Sequence, residues 1–354
     1  MRPRAMPLLF ILLASAGPWW PRYAQARPFR FVVLGHVRGD PAGPNPRLGE
    51  LLDRVREIQP SLVLLTGDMI WGDMAGHPSD TAWLNREWRH LDSALATLGV
   101  PVLRVPGNHD ISDLASRDVY RARYGLPPDA VTIGRSRFIL LSSAWIPADG
   151  DTRKAPYTRP SELDSTQIAF LRRELAQRDR YDHVFVALHH LLWWEPETSQ
   201  WWRVVHPLLV QGRVDAVFSG DYGPMKFSTL SRDGVRYFQT SIETTPALEI
   251  LRNRIPSRLL SSQFDNFLEV RLDGPRPEYR VHTVGEMTSG EFTPERWKAI
   301  NLVPPAPPPL SRRLLDLVAS PKRAVALLAF SGLVFGAGWV AGSWWRVRRA
   351  RRAG

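Results

Sequence analysis

Cysteine is absent from the 354 residues of this chain. No disulfide can therefore support the fold, and a hydrophobic core has to stabilise it alone. Apolar residues make up 44% of the chain, which is ample for such a core. Internal repeats are absent as well, and the length suits either two domains or a single large α/β fold.

Acidic residues are missing from both ends of the chain, and this accounts for most of the formal net charge of +11. The end segments, residues 1–26 and 324–354, contain eight arginines and no aspartate or glutamate. Without those eight positive charges, residues 27–323 carry a net charge of about +3. The basic excess is therefore typical of membrane topology, and a nucleic acid is not expected as a partner.

The first 26 residues have the pattern of a secretory signal peptide. Two arginines within the first four residues precede an apolar run over residues 8–16, and residues 24–26 (Ala-Gln-Ala) form a small-x-small cleavage site. A second such site at residues 14–16 leaves the mature start open. An uncleaved anchor is the alternative, although the apolar run is short for spanning a bilayer.

Charged residues are also missing from residues 324–345, a run of 22 that matches the roughly 20 residues needed to cross the hydrocarbon core. The arginine-rich tail, residues 346–354, marks the cytoplasmic side. We therefore expect a single-pass protein of the cell membrane whose body lies outside the cytoplasm. Residues 301–323 are predicted to be a Pro-rich linker and juxtamembrane segment, and small residues in the spanning helix offer a face for homodimerisation.

Between residues 28 and 300, short apolar runs alternate with segments of helical periodicity, which predicts one layered α/β domain. Runs that are apolar throughout indicate strands buried on both faces. Strands are predicted at 29–34, 62–66, 102–105, 137–142, 183–188 and 214–219, and helices at 47–58, 81–98, 161–177 and 201–210. Later runs without intervening helices predict antiparallel strands at 235–240, 267–272 and 279–284.

Two polar motifs follow predicted strands directly. Gly67-Asp68 ends the second apolar run, and Gly107-Asn108-His109-Asp110 ends the third. A carboxylate, an amide oxygen and an imidazole at strand ends are the ligands and acid–base groups of metal-assisted hydrolysis. Each motif alone would equally suit a turn, a helix cap or a loop histidine.

Further polar motifs follow the strands predicted at 29–34, 183–188 and 214–219, at His36, His189 and Asp221. The five motifs in this order resemble the calcineurin-like metallophosphoesterase family over about residues 28–285. The resemblance implies a four-layered αββα sandwich that binds two metals and hydrolyses phosphoesters. It also implies that Asp68 bridges the metals, that Asn108 binds the second metal, and that His109 acts on the leaving oxygen. Asp110 would orient His109, and His189, after the strand at 183–188, would be a further ligand.

The first and last motifs depart from the family pattern. His36 and Arg38 replace a carboxylate and an imidazole, while Asp221 and Gly223 replace two histidines. Arginine has no lone pair to donate and glycine has no side chain, so the first metal position is predicted to be empty, with His36 a remaining candidate ligand. The second position keeps four donors and is predicted to hold one divalent ion, Mn, Fe or Zn; these donors are Asp68, Asn108, His189 and Asp221.

These residues predict an extracytoplasmic hydrolase of a phosphomonoester or phosphodiester, with a small molecule or a lipid as substrate. Arg38 is expected to bind a phosphate oxygen at the vacated position. The alternative is an inactive relative that binds a phosphorylated ligand or a protein partner at the membrane. A structural assembly factor without phosphate affinity is a third possibility. Four tryptophans near His189 are predicted to pack in the core or beside the substrate, with a lipid-facing surface as the alternative; they are Trp193, Trp194, Trp201 and Trp202.

Overall fold

The computed structural model describes residues 29–72, 80–144, 162–221, 225–242, 258–287 and 294–305. The chain divides into two compact units, Met1–Pro304 and Pro305–Gly354. The predicted signal peptide, spanning helix and basic tail lie outside the described residues. Within the described ranges, no helix is both long enough and apolar enough to cross a membrane.

The described residues form thirteen strands and six α-helices, together with two short 3₁₀-helices and one π-helix. The strands are β1 (Phe29–Leu34), β2 (Leu62–Leu65), β3 (Val102–Arg104), β4 (Asp129–Ile133), β5 (Ser136–Leu140), β6 (His183–Ala187), β7 (Ala216–Ser219), β8 (Phe227–Arg232), β9 (Val235–Gln239), β10 (Leu260–Ser262), β11 (Asp265–Leu272), β12 (Glu278–Val284) and β13 (Leu302–Val303). The helices are α1 (Leu48–Ile58), α2 (Thr81–Ala96), α3 (Leu114–Tyr124), α4 (Ser165–Leu175), α5 (His206–Gln211) and α6 (Pro294–Ile300).

The strands form two sheets. The first has the order β13-β12-β11-β1-β2-β3, and the second has the order β10-β8-β9-β7-β6-β5-β4. In the first sheet β1, β2 and β3 are parallel, and in the second β5, β6, β7 and β9 are parallel. Parallel neighbours end at the same edge of a sheet, so the loops that follow them are brought together.

Alternate residues of a strand point to opposite faces of its sheet, and this alternation defines the layers. In β1, Phe31 and Val33 pack between the two sheets, whereas Val32 and Leu34 pack against α1 and α2. In β6, Phe185 faces the first sheet, and its neighbours in the strand pack with α4 and α5. The layers therefore follow the order helix, sheet, sheet, helix, and the predicted α/β class is confirmed.

Helix α1 shows why the outer layers form where they do. Its buried residues, Leu48, Leu51, Leu52 and Val55, recur with the 3.6-residue period of an amphipathic helix. They cover the outer face of β1 and β2 in one hydrophobic cluster. The tryptophans near His189 behave similarly, since Trp193, Trp201 and Trp202 are buried in the core between α5 and the second sheet.

Several elements differ from the sequence-based expectation. The segment predicted as a helix at 201–210 begins as a π-helix, Trp201–Val205, before α5. Helix α3 and strand β4 were not predicted, because Tyr120 is the one buried apolar residue of α3 and β4 has no buried residue. Helix α3 does carry a start signal: the Asp113 carboxylate accepts from the Ser116 amide, and the Ser116 hydroxyl accepts from the Asp113 amide. This reciprocal pair is a capping box.

A buried carboxylate lies on the helix-facing side of the first sheet. Glu269 of β11 is 1% exposed and accepts hydrogen bonds from His282 Nε2 at 2.8 Å and Arg271 Nε at 2.5 Å. Burial alone would raise the pKa of Glu269, but these two partners outweigh it and lower the pKa to about 2. A pKa below the unfolded value means that ionised Glu269 stabilises the folded state.

We expect Glu269→Gln to lower the free energy of unfolding at pH 7 by on the order of 2 kcal/mol. The difference in the free energy of unfolding between Glu269→Gln and the parent should shrink as the pH falls from about 4.5 towards 2, because the parent carboxylate is then protonated. Urea unfolding between pH 3 and pH 7 measures this. Glu278→Gln is the matched control, since Glu278 forms an exposed ion pair with Arg280 on β12 and should matter by less than about 1 kcal/mol. An equal pH dependence of parent and Glu269→Gln would contradict the prediction.

Candidate functional site

Five loops meet where parallel strands of both sheets end. His36 and Arg38 follow β1, Asp68 follows β2, and the turn Gly107–Asp110 follows β3. From the second sheet, His189 follows β6 and Asp221 follows β7. The structure brings these side chains together around Asp68. Gly223, which follows Asp221 in the last motif, lies outside the described residues.

Asp68 is the centre of this group and is 1% exposed. Its Oδ2 atom lies 3.4 Å from His36 Nδ1 and 4.0 Å from Arg38 Nε. Its Oδ1 atom accepts from the His109 amide at 3.0 Å and lies 3.3 Å from His189 Nε2. Burial opposes ionisation, but the imidazoles of His189 and His109 outweigh it and hold the pKa of Asp68 well below its usual range.

The backbone at the site is held in an unusual conformation. His36 and Asp68 have φ values of 48° and 50°, in the left-handed region that non-glycine residues rarely adopt. The two loops are joined by hydrogen bonds from the His36 amide to the Gly67 carbonyl, at 3.2 Å, and from the Arg38 amide to the Asp68 carbonyl, at 3.0 Å. Left-handed residues of this kind cluster at functional sites, where surrounding contacts hold them.

His189 connects the two sheets at the site. Its Nδ1 atom lies 2.9 Å from the Thr66 carbonyl, so Nδ1 carries a hydrogen and donates it. Its Nε2 atom faces two carboxylates, with Asp68 Oδ1 at 3.3 Å and Asp221 Oδ1 at 3.7 Å. Burial alone would lower the pKa of His189, but the two carboxylates raise it to about 9.

The environment of His189 suits a positive charge between the imidazole and the carboxylates. Its Nε2 atom is buried and has no hydrogen-bond partner among the described residues. If Nε2 were neutral, its lone pair would face the carboxylates of Asp68 and Asp221. A proton or a cation therefore has to lie between Nε2 and these carboxylates. Imidazole and carboxylate donors fit Mn, Fe or Zn. As they stand, however, the described residues contain no group of three or more His, Asp or Glu side chains that could hold a metal ion.

His109 is held by a backbone carbonyl. Its Nδ1 atom lies 2.6 Å from the Trp71 carbonyl, and its Nε2 atom lies 4.0 Å from Asp68 Oδ2. Burial lowers the pKa of His109 to about 4, although Asp68 opposes this and Arg38 adds to it. The ring is therefore neutral near pH 7, with Nδ1 donating and the Nε2 lone pair on the side of Asp68. Asn108, half-buried, precedes it in the same turn.

Asp110 binds three backbone amides. Its Oδ1 atom accepts from the amides of Met69 and Ile70, at 2.9 and 3.2 Å, and its Oδ2 atom accepts from the Gly107 amide at 2.8 Å. Burial, reinforced by Asp68, raises the pKa of Asp110 to about 7. Asp110 therefore joins the loops after β2 and β3. The ring of His109 is bound directly by the Trp71 carbonyl, and an orienting effect of Asp110 on His109 stays a prediction.

Arg38 lies beside Asp68, with only 7% of its surface exposed. Its guanidinium stacks on the Trp71 ring, 4.6 Å from the ring centroid, and its Nη1 atom donates to the Gly39 carbonyl at 3.0 Å. A stacked, hydrogen-bonded guanidinium is held in a fixed plane. The site therefore has a permanent positive charge next to its central carboxylate.

Trp71 is a site residue that the sequence analysis missed. Its ring packs against Arg38, and its carbonyl holds His109. The Trp71 and Gly72 amides donate to Glu87 of α2, at 3.2 and 3.0 Å, which fixes this loop. A backbone carbonyl leaves no signal in the sequence, and one tryptophan among 14 is not distinctive.

Comparison with family models identifies one family. The model of the calcineurin-like phosphoesterase family matches residues 33–222, which is more than half of the chain. Every strand-end motif from the end of β1 to Asp221 lies inside this range. The sequence matches no curated protein.

Solved structures give weaker likenesses. A purple acid phosphatase from yellow lupin (Lupinus luteus) seeds is 13% identical with a TM-score of 0.49, covering 72% of this chain and 52% of the lupin chain. A dimetal phosphatase from Danio rerio is 14% identical with a TM-score of 0.48, covering 71% of this chain and 98% of its own. GAP50, the anchor in the inner membrane complex of Plasmodium, is 14% identical with a TM-score of 0.48. The match covers 79% of this chain and 98% of the GAP50 chain. This chain thus spans about half the length of the lupin protein.

We expect Gly107→Ala to lower the free energy of unfolding by about 1–3 kcal/mol. A Cβ at residue 107 would lie 2.1 Å from Asp68 Oδ1 and 2.4 Å from the Asp68 amide nitrogen, so the two loops would have to separate. Urea unfolding measures the change. Gly49→Ala in α1 is the control, because its Cβ meets no described atom within 4 Å and alanine favours a helix by up to about 1 kcal/mol. A Gly107→Ala protein as stable as the parent would refute the close approach of the loops.

Proposed function

Because this chain belongs to the calcineurin-like phosphoesterase family, we propose that it hydrolyses a phosphomonoester or phosphodiester with the help of one divalent cation. The observation that supports this most is the convergence of His189, Asp68 and Asp221 from loops of both sheets. The family uses divalent metals.

The cation is proposed to bind on the His189 side of Asp68. Asp68, Asn108, His189 and Asp221 would hold it, and His36, 3.4 Å from Asp68 Oδ2, is a further donor. The donors would have to close up around the ion from their present positions. When bound, such a cation polarises the phosphoryl group and acidifies a bound water. Binding would also displace the proton that His189 holds at neutral pH.

Arg38 is proposed to bind a phosphate oxygen. Its guanidinium is buried, held against Trp71, and 4.0 Å from Asp68. A fork of N–H donors matches the geometry of a phosphate group and stays charged at any pH of interest. A single cation and this guanidinium would then neutralise the substrate from two sides.

His109 is proposed to act at the leaving oxygen through Nε2. The Trp71 carbonyl fixes the ring by its other nitrogen, so Nε2 is the atom available to substrate. A bound phosphate would supply the negative charge that favours a proton on Nε2. Asp110 supports this geometry by joining the two loops rather than by touching substrate.

An inactive phosphate-binding protein is the second candidate. Two observations favour this candidate. Arg38 lies beside Asp68, and the described residues contain no group of three or more His, Asp or Glu side chains that could hold a metal ion. Such a protein would keep the Arg38 contact with phosphate and lack turnover. Its ligand would be a phosphorylated small molecule, a lipid or a protein partner at the membrane.

We also propose that the reaction takes place outside the cytoplasm. The signal-peptide pattern of residues 1–26 and the charge-free run of residues 324–345 support this, since both place the body on the same side of the membrane. The substrate would then be a phosphorylated small molecule or a lipid of that compartment.

We expect the purified full chain to hydrolyse p-nitrophenyl phosphate or bis(p-nitrophenyl) phosphate when Mn²⁺ is added. Chelation should abolish the reaction, because the chain's own residues supply no Lewis acid. Asp68→Ala and Asn108→Ala should each lower kcat/KM at least about 100-fold, since each removes a proposed ligand. Release of p-nitrophenolate measures the rate.

Arg38 tests phosphate binding, which both candidates share, and turnover then separates them. Arg38→Met should weaken binding of inorganic phosphate about 100-fold and Arg38→Lys about tenfold. Arg86→Met is the matched control, since Arg86 also stacks on a tryptophan, Trp83 at 5.5 Å, but is exposed on α2. Phosphate binding without turnover would establish the inactive protein. Turnover that survives Asp68→Ala would refute the proposed site.

The membrane topology can be tested with the full chain. We expect green fluorescent protein fused after Gly354 to fluoresce, because it folds in the cytoplasm, and protease added outside the membrane to digest the body. Removal of residues 306–354 should release the body from the membrane fraction. A protected body would refute the proposed topology.

A further inference from the structure

A cavity lies at the edge of the sandwich where both sheets end. Strand β3 is the last strand of the first sheet, and β4 is the last strand of the second. Between them is a cavity of about 270 Å³, the edge cavity, with an apolar floor of Leu103, Val131 and Leu140. None of the candidate site residues lines it.

Two buried polar atoms of the edge cavity have no hydrogen-bond partner among the described residues. One is the hydroxyl of Tyr120, a side chain that is 1% exposed, and the other is Nε of Arg104. A buried hydroxyl or N–H group without a partner destabilises the folded state. Burial also raises the pKa of Tyr120 well above its usual range, so the hydroxyl keeps its proton. Both atoms are therefore donors without an acceptor.

The surrounding charges favour an anion. Asp92 lies 3.1 Å from Arg104 Nη2 and 3.3 Å from Arg123 Nη1, so one carboxylate balances two guanidinium groups. The Tyr124 hydroxyl also donates to Asp92, at 2.8 Å, and is thereby occupied. Two carboxylates oppose an anion: Asp129 is exposed at the rim, where water screens it, and buried Asp110 adds to the raised pKa of Tyr120.

We propose that the edge cavity binds a small carboxylate with an apolar body, such as an aryl or short alkyl acid. The carboxylate would accept from the Tyr120 hydroxyl and from Arg104 Nε–H, and the apolar body would lie on Leu103, Val131 and Leu140. The volume is near the lower end of the roughly 300–1,000 Å³ typical of ligand pockets, which restricts the ligand to a small molecule. This site is independent of the proposed phosphoesterase reaction.

Binding of phenylacetate to the full chain tests the proposal, with phenylacetamide as the neutral counterpart of the same shape. Ligand-observed NMR titration should show saturable binding of the acid and about tenfold weaker binding of the amide. Tyr120→Phe removes the free hydroxyl, and Arg104→Lys keeps a charge near Asp92 but removes Nε–H. Each variant should weaken phenylacetate binding about tenfold.

Tyr124→Phe is the matched control, because it removes a hydroxyl of the same cavity that already donates to Asp92, and it should leave phenylacetate affinity unchanged within about twofold. Without ligand, Tyr120→Phe should unfold at the same or a higher temperature than the parent, since it removes a desolvated hydroxyl. A lower unfolding temperature would show that the hydroxyl is already satisfied and would overturn the proposal. So would the absence of saturable binding, equal affinity for the amide, or undiminished binding in Tyr120→Phe.

Discussion

The site depends on one buried carboxylate. Asp68 accepts a hydrogen bond from the His109 amide, lies within 4.0 Å of His36 and Arg38, and faces His189. Ionised Asp68 would be costly to bury without these partners, and without it the surrounding positive groups would repel one another. The loops that carry these residues are therefore all held in place by contacts with the Asp68 carboxylate.

The loops can approach this closely because glycine precedes the central residues. A Cβ on Gly67 would lie 2.4 Å from His189 Nδ1, and one on Gly107 would lie 2.1 Å from Asp68 Oδ1. Gly67 also has φ of 92°, which leads into the left-handed conformation of Asp68. The Gly-Asp and Gly-Asn-His-Asp motifs are thus requirements of packing as well as of chemistry.

Much of the fold follows from periodicity, because buried parallel strands and amphipathic helices leave regular apolar patterns. The strand-end motifs also predicted which loops would meet, since parallel strands end at one edge. What the sequence did not reveal rests on backbone groups and on local geometry. The Trp71 carbonyl that holds His109 has no sequence signal, and neither do the three amides bound by Asp110. The π-helix at Trp201–Val205 has the same apolar pattern as an ordinary helix.

The distribution of the site over two sheets has a consequence for folding. His36, Asp68 and His109 belong to loops of the first sheet, and His189 and Asp221 to loops of the second, so the group spans most of the domain's sequence. Neither half can assemble it alone, and contacts of such long sequence separation carry a loop-closure cost. A molecule whose sheets have not docked therefore lacks this group of side chains around Asp68.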